Sequence, residues 1–281
     1  MAIGSPIKAQ KKETEFRRKT LDEIKLLSIQ GESDAERLVK ALSERSFSFQ
    51  EKIIKPMWTV AITGRVCTSK PNIQSLKGKD SVRVAGLKSG LKQGEVLVHA
   101  DIKAAEPTVI KHLLGIPQER DFYQEYATAT GYTRETAKKP VNSLAYCKNS
   151  RACFNHWPQP AQVVLGDYLQ KLSEYKARLY ADFRKGRRSI TTVTGRKIVA
   201  LMGARIHRGQ VMNWRVQGTI ADIINPACLR IMKFARVVIP VHDAIYAIVP
   251  ANEAGEVALA ITNRAREIGL TVTVKTEVYH G

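Results

Sequence analysis

The stretch Val96-Leu97-Val98-His99-Ala100-Asp101-Ile102-Lys103-Ala104-Ala105-Glu106 decides how this chain is read. It is an apolar run that suits an extended backbone and ends on an acid, Asp101. Glu106 follows five residues later, where Pro107-Thr108-Val109-Ile110-Lys111-His112-Leu113-Leu114 begins to read as a helix. A second run, Arg236-Val237-Val238-Ile239-Pro240-Val241-His242-Asp243-Ala244-Ile245-Tyr246-Ala247-Ile248-Val249, reads as a hairpin with His242-Asp243 at its turn. Two acids raised on a β-scaffold suit two Mg2+ ions roughly 3.5 to 4 Å apart, because such a pair needs shared anionic oxygen ligands. Taken singly, an Asp after a strand is more often a turn residue or a helix N-cap.

The 281 residues are enough for a sizeable core, in one large domain or two modest ones. Lys and Arg number 45 against 26 Asp and Glu, a formal net charge of +19 spread through the chain, which points to a polyanionic partner such as nucleic acid. No apolar run approaches the ~20 residues of a membrane span, and the N-terminus lacks a signal-peptide core, so a soluble cytoplasmic protein with no membrane partner is expected. Cys67, Cys147, Cys153 and Cys228 form no close pair of the zinc type and are expected to be reduced bystanders.

Residues 1–13 have the polar, Lys-rich composition of a disordered arm. Leu21, Ile24 and Leu27, then Leu38 and Leu42, suggest two helices between Thr14 and Glu51, broken near Gly31. Pro56 to Ile62 reads as a strand, followed by an irregular loop whose Arg65, Asn72 and Gln74 can bond phosphate or base edges. Phe122, Tyr123 and Tyr126 are of the kind that pack more often than they stack on bases. Arg134, Lys138 and Asn142 share one helical face, which can set two cations against a triphosphate, although Pro140 is expected to kink that helix or start a new one. Residues 162–184 give the longest clear amphipathic helix, and Ser189 to Ala200 reads as a hairpin turning near Thr194-Gly195. Residues 211–233 form an apolar helix interrupted by Pro226. A helix from Ala251 to Ile268 with Asn252 as N-cap and a last strand over Leu270–Val278 complete the chain. Strands and helices mix without a repeating βαβ unit, so the fold class is α+β with an antiparallel sheet.

Taken together and in order, these motifs resemble the palm and fingers of family A DNA polymerases, over roughly residues 58–281. Asp101 with Glu106, then Arg134, Lys138 and Tyr146, then Val241-His242-Asp243 fit the family's three motifs. Thr63-Gly64-Arg65 with Pro71-Asn72-Ile73-Gln74 looks like its primer- and template-contacting loop, and Gln217-Gly218-Thr219 with Ala221-Asp222-Ile223-Ile224 like its minor-groove-reading helix. Two positions depart: Ala244 stands where the family usually has Glu, and Asn142 where it has an aromatic. The helix around Lys139 and Pro140 is also similar to that of phage-type single-subunit RNA polymerases.

The resemblance implies a right-hand polymerase fold: a short helical region at 14–57 serving as a reduced thumb or a docking element, palm at 58–120 and 189–281, fingers at 121–188. It implies template-directed DNA synthesis without proofreading, with primer-template DNA and dNTPs as partners and a further protein supplying thumb or clamp function. Asp101, Asp243 and the backbone carbonyl of Ile102 would hold two Mg2+, with Mn2+ as a substitute. Lys138 and Arg134 would neutralise the triphosphate, Lys138 as a catalytic group, while Asn142, Tyr146 and Glu106 would complete the nucleotide site. Arg65, Asn72, Gln74, Asn213, Gln217 and His242 would contact primer or template. The alternatives are an RNA-polymerizing or primase-like enzyme, and a non-catalytic nucleic-acid-binding protein on a degenerate palm.

Overall fold

The computed structural model describes residues 33–76, 80–186, 188–200 and 203–281. The expected arm at 1–13 and the first expected helix, around Leu21, Ile24 and Leu27, lie outside them. The second helix is α1 (Asp34–Ser43), opened by a capping box between Ser33 and Glu36. Leu38 and Leu42 are buried, as their spacing predicts. Helix does not continue to residue 51. Instead β1 (Phe47–Phe49) and β2 (Lys52–Ile54) pair antiparallel, because aromatic and β-branched residues favour strand and Gln50-Glu51 take up a tight left-handed turn.

The expected strand after Pro56 is β3 (Met57–Val60), but part of the expected irregular loop pairs back onto it as β4 (Val66–Ser69). Then come α2 (Asp80–Lys88) and β5 (Glu95–Ile102), followed by α3 (Ala105–Leu114). Five helices follow: α4 (Phe122–Thr130), α5 (Arg134–Tyr146), α6 (Ser150–Phe154), α7 (Gln159–Val164) and α8 (Gly166–Lys185). The helix expected over 162–184 is therefore split at Leu165. The hairpin of β6 (Ser189–Thr191) and β7 (Lys197–Val199) turns at Gly195, as expected.

α9 (Arg208–Ile231) is, at 24 residues, longer than the 20-residue α8. It lies largely buried, so it lacks the clean polar face by which α8 stands out in the sequence. Neither Pro140 in α5 nor Pro226 in α9 ends its helix; Ala137, Val141, Leu144 and Ala145 on one side, and Ile223, Ile224, Ala227 and Cys228 on the other, are buried and carry the helices through. Asn252 caps nothing: it sits in a 3-10 turn, and α10 (Ala254–Glu267) has Glu253 at its N-cap without a side-chain bond.

β8 (Val237–Val241), β9 (Ala244–Pro250) and β10 (Val274–Tyr279) join β5 in one antiparallel sheet of order β10-β5-β9-β8. The last strand starts four residues later than the pattern predicts. α10 lies against β5, β9 and β10, and α9 against β8 and β9. Val96, Leu97, Val98 and Ala100 are accordingly at most 2% exposed, which is why β5 reads as an unbroken apolar run. This α+β architecture places the ends of β5, β8 and β9 beside one another and turns them toward α5.

Candidate active site

Asp101 is the last but one residue of β5 and pairs with Ala244 in the ladder to β9. Asp243 immediately precedes Ala244, and its carbonyl accepts the Ile102 amide at 3.2 Å. The register thus sets the two carboxylates at adjoining positions on one end of the sheet. His242 and Asp243 form a two-residue turn between β8 and β9 in which His242 has φ 58°. Such a turn favours glycine at that position. Ala104, just before α3, is also left-handed at φ 52°, so two non-glycine residues hold strained backbone at this site.

Both border a cleft of about 580 Å³, whose wall includes Asp101, Ile102, Lys103, Glu106, Asp243, Tyr123, Arg134, Lys138, Asn142, Arg65, Gln217 and His242. A chain of side-chain bonds lines one side. Gln217 donates to Glu106 and accepts from Arg65 at 2.7 Å, and Arg65 in turn donates to His242 Nδ1. Burial, then the positive Arg65, keeps His242 below the ordinary histidine value, in keeping with a neutral ring that accepts this bond. Burial raises the carboxyls of Glu106 and Asp243 above the usual range. The Tyr146 hydroxyl is buried without a hydrogen bond of good geometry and lies against the Glu106 carboxyl; burial first, then that neighbour, pushes its pKa far up.

Arg134 and Lys138 occupy successive turns of α5 on the cleft side. Arg134 bonds Asp121 at 2.9 Å and Lys138 meets Glu135 at 2.6 Å. These pairs are one-third exposed or more on at least one partner, so a polyphosphate can compete for either cation. Asn142, one turn further, accepts from the Tyr123 hydroxyl at 2.8 Å.

The other expected contacts are placed differently. Gln74 is 8% exposed and its amide is used internally, accepting from the Thr68 amide at 2.9 Å and donating to the Val66 and Pro240 carbonyls. Asn72 is exposed and caps the short 3-10 turn at Ile73–Ser75 through the Ser75 amide at 3.1 Å. Asn213 is half-buried on α9 and lies outside the cleft wall. Gly218 permits the approach of β6 and β7, because a Cβ there would lie 2.8 Å from Ile198 and Thr192 side-chain atoms. Arg196 on that hairpin binds Asp222 and donates to the Thr63 and Gly218 carbonyls, at 2.7 and 3.0 Å, tying the Arg65 loop to α9.

Sequence reading missed Tyr123 as a cleft residue, since an aromatic on an amphipathic helix signals packing. It also missed a second, basic cavity of about 1000 Å³ beside the C-terminal end of α5, lined by Lys148, Arg151, Lys176, Arg205 and Arg208 among others. These cations are scattered over three segments and converge only in the fold.

The donor chemistry at the sheet end suits Mg2+. Asp101, Asp243 and the Ile102 carbonyl offer hard oxygens, and a buried carboxylate with a raised proton affinity gains from a cation. No group of three or more His, Cys, Asp or Glu side chains able to hold a metal occurs among the described residues. The set fits an ion that completes its shell with water and substrate oxygens.

Among solved structures, the POL domain of Pol1 from M. smegmatis, in complex with DNA primer-template and dNTP, superposes with a TM-score of 0.62 at 18% sequence identity. The superposition covers 87% of this chain and 50% of that one, so the chain spans about half the length of that structure, and the likeness is one of fold. No curated protein sequence matches the chain. The sequence profile of DNA polymerase family A matches residues 34–281, which takes in every element described above and both strand ends that carry the paired acids, and the chain therefore belongs to DNA polymerase family A.

Proposed function

We propose that this chain adds deoxynucleotides to the 3′ end of a primer under the direction of a template. The observation that carries this reading is the register of β5 and β9, which puts Asp101 and Asp243 side by side in a cleft whose lining also includes Arg134 and Lys138. Acids suited to metal and cations suited to polyphosphate border one space, the combination that phosphoryl transfer needs.

The primer 3′-hydroxyl loses its proton to solvent as its oxygen attacks the α-phosphorus, the bond from that phosphorus to the bridging oxygen breaks, and pyrophosphate leaves. Asp101, Asp243 and the Ile102 carbonyl would hold two Mg2+, which when bound lower the pKa of the 3′-hydroxyl and offset charge at the α-phosphate. Lys138 meets the charge that builds on the leaving group as a point cation, and Arg134 as a forked donor. Asn142 and Tyr146 continue the same helix face toward sugar and base, with Glu106 opposite them, crowding the sugar edge. Arg65, Gln217 and His242 contact the duplex near the primer terminus, where minor-groove acceptors are common to all base pairs. The basic cavity beside α5 suits a phosphate backbone, and with a net charge of +19 DNA affinity should fall steeply with salt.

Extension of a labelled primer on a DNA template with Mg2+, run with dNTPs and with NTPs, tests the proposal. Extension with dNTPs that is lost in Asp101→Ala and Asp243→Ala supports it. Preferential use of NTPs would move the chain to RNA synthesis, and tight salt-sensitive DNA binding without extension would leave a binding protein.

A further inference from the structure

We propose that Tyr123 is a positioning residue of the nucleotide cleft, whose hydroxyl fixes Asn142 so that the Asn142 amide group donates to the incoming nucleotide at the level of its sugar. The inference rests on the reading of this cleft as a triphosphate site.

Residues four apart on α5 rise about 6 Å along its axis. Arg134 and Lys138 occupy two such steps and Asn142 the third, all on the cleft wall. With phosphates against the first two, the third step falls on the sugar. The Tyr123 hydroxyl, brought in by α4, donates to Asn142 Oδ1 at 2.8 Å. This bond occupies the acceptor of the amide and leaves its two N–H groups as what Asn142 offers. Among the described residues no other hydrogen bond reaches that side chain.

Tyr123 is suited to hold such an orientation. It is only 4% exposed, and its ring carries the Arg134 guanidinium 5.3 Å from the ring centroid. Burial pushes its phenol up to about 12, so it remains a donor throughout the neutral range. One side chain thus touches both the phosphate end and the sugar end of the helix face. A tyrosine serving only to pack would have no need of the hydroxyl, and phenylalanine would serve as well.

The test is steady-state primer extension by the wild type, Tyr123→Phe, Asn142→Ala and the double variant, with inhibition by inorganic tripolyphosphate measured alongside. Tyr123→Phe keeps the ring beneath Arg134. It should raise the KM for dNTP roughly 5-fold, the worth of about one hydrogen bond, with kcat within about two-fold and tripolyphosphate inhibition unchanged. Asn142→Ala should raise KM at least as far, and the double variant should be no worse than Asn142→Ala alone. An unchanged KM in Tyr123→Phe, additive effects, or a parallel loss of tripolyphosphate inhibition would each overturn the proposal. Failure of the underlying reading looks different: tripolyphosphate inhibition would then be insensitive to Arg134→Ala and Lys138→Ala.

Discussion

Asp101 and Ala244 stand directly opposite each other in the β5–β9 ladder, so the position where the family usually carries a glutamate adjoins the aspartate proposed to bind metal. Side chains so paired lie close, with Cβ atoms about 4.5 to 5.5 Å apart. Ala244 is 5% exposed and contributes no charge. In Ala244→Glu a further carboxylate would strengthen cation binding, and the Mg2+ concentration giving half-maximal extension should fall by roughly 3- to 10-fold. A magnesium titration of the extension rate checks this, with thermal unfolding to show whether the larger side chain is accommodated. An unchanged titration in a folded variant would mean that the neighbouring position has no part in metal affinity.

Gly209, in the first turn of α9, packs on the carbonyls of Tyr146 and Cys147, and a Cβ there would overlap those backbone atoms. Backbone at the end of α5 cannot swing aside as a side chain can. Gly209→Ala should destabilise the protein by roughly 1 to 3 kcal/mol and also raise the KM for dNTP, because α5 carries Arg134 and Lys138, the cations proposed to meet the triphosphate. Denaturant unfolding and extension kinetics on the same preparation measure both.

The sheet and the paired acids were legible in the sequence because β5, β8 and β9 are buried, apolar and bounded by acids or turns, so their patterns are strong. The roles of Asn72 and Gln74 were not. A glutamine in a polar loop looks free to contact DNA, and only the fold shows its amide spent on Thr68, Val66 and Pro240. The β1–β2 hairpin was hidden for a related reason: Phe47, Phe49, Ile53 and Ile54 are too few to give a period. Tyr123 and the basic cavity depend on which helices meet, and no spacing along the chain encodes that.

Glu95 and Arg236 pair at 2.6 Å at the other end of the same sheet. The Arg236 hydrogen bond holds the Glu95 carboxyl below its usual value of 4.5, against the upward pull of burial. A carboxyl depressed in the folded state stabilises above its unfolded pKa, and that contribution is lost as pH falls through the folded value. Glu95→Gln should therefore cost about 1 to 2 kcal/mol at pH 7, and the gap to the wild type should narrow once the pH drops below about 4.5. Urea unfolding of both proteins at pH 7, 5 and 3.5 would show it; a gap independent of pH would mean the pair acts through packing alone.

The Gln217 amide holds the Glu106 carboxyl, and the buried Tyr146 hydroxyl lies against it. Gln217 is itself fixed by Arg65, so the Glu106 side of the cleft is connected to the loop expected to contact the duplex. If Glu106 crowds a ribose 2′-hydroxyl, its removal should admit ribonucleotides. Glu106→Ala should reduce the preference for dNTP over the matching NTP, measured as the ratio of kcat/KM values, by on the order of 10- to 100-fold. Gln217→Ala should move the ratio in the same direction but less, because the carboxyl stays while its orientation is loosened. Both variants must be compared on one primer-template, since Gln217 is also proposed to contact the duplex and its loss should then lower kcat/KM for either nucleotide. A ratio unchanged in Glu106→Ala, with both rates lowered equally, would assign this carboxyl to holding Tyr146 and Gln217 in place and leave sugar selection to other residues of the cleft.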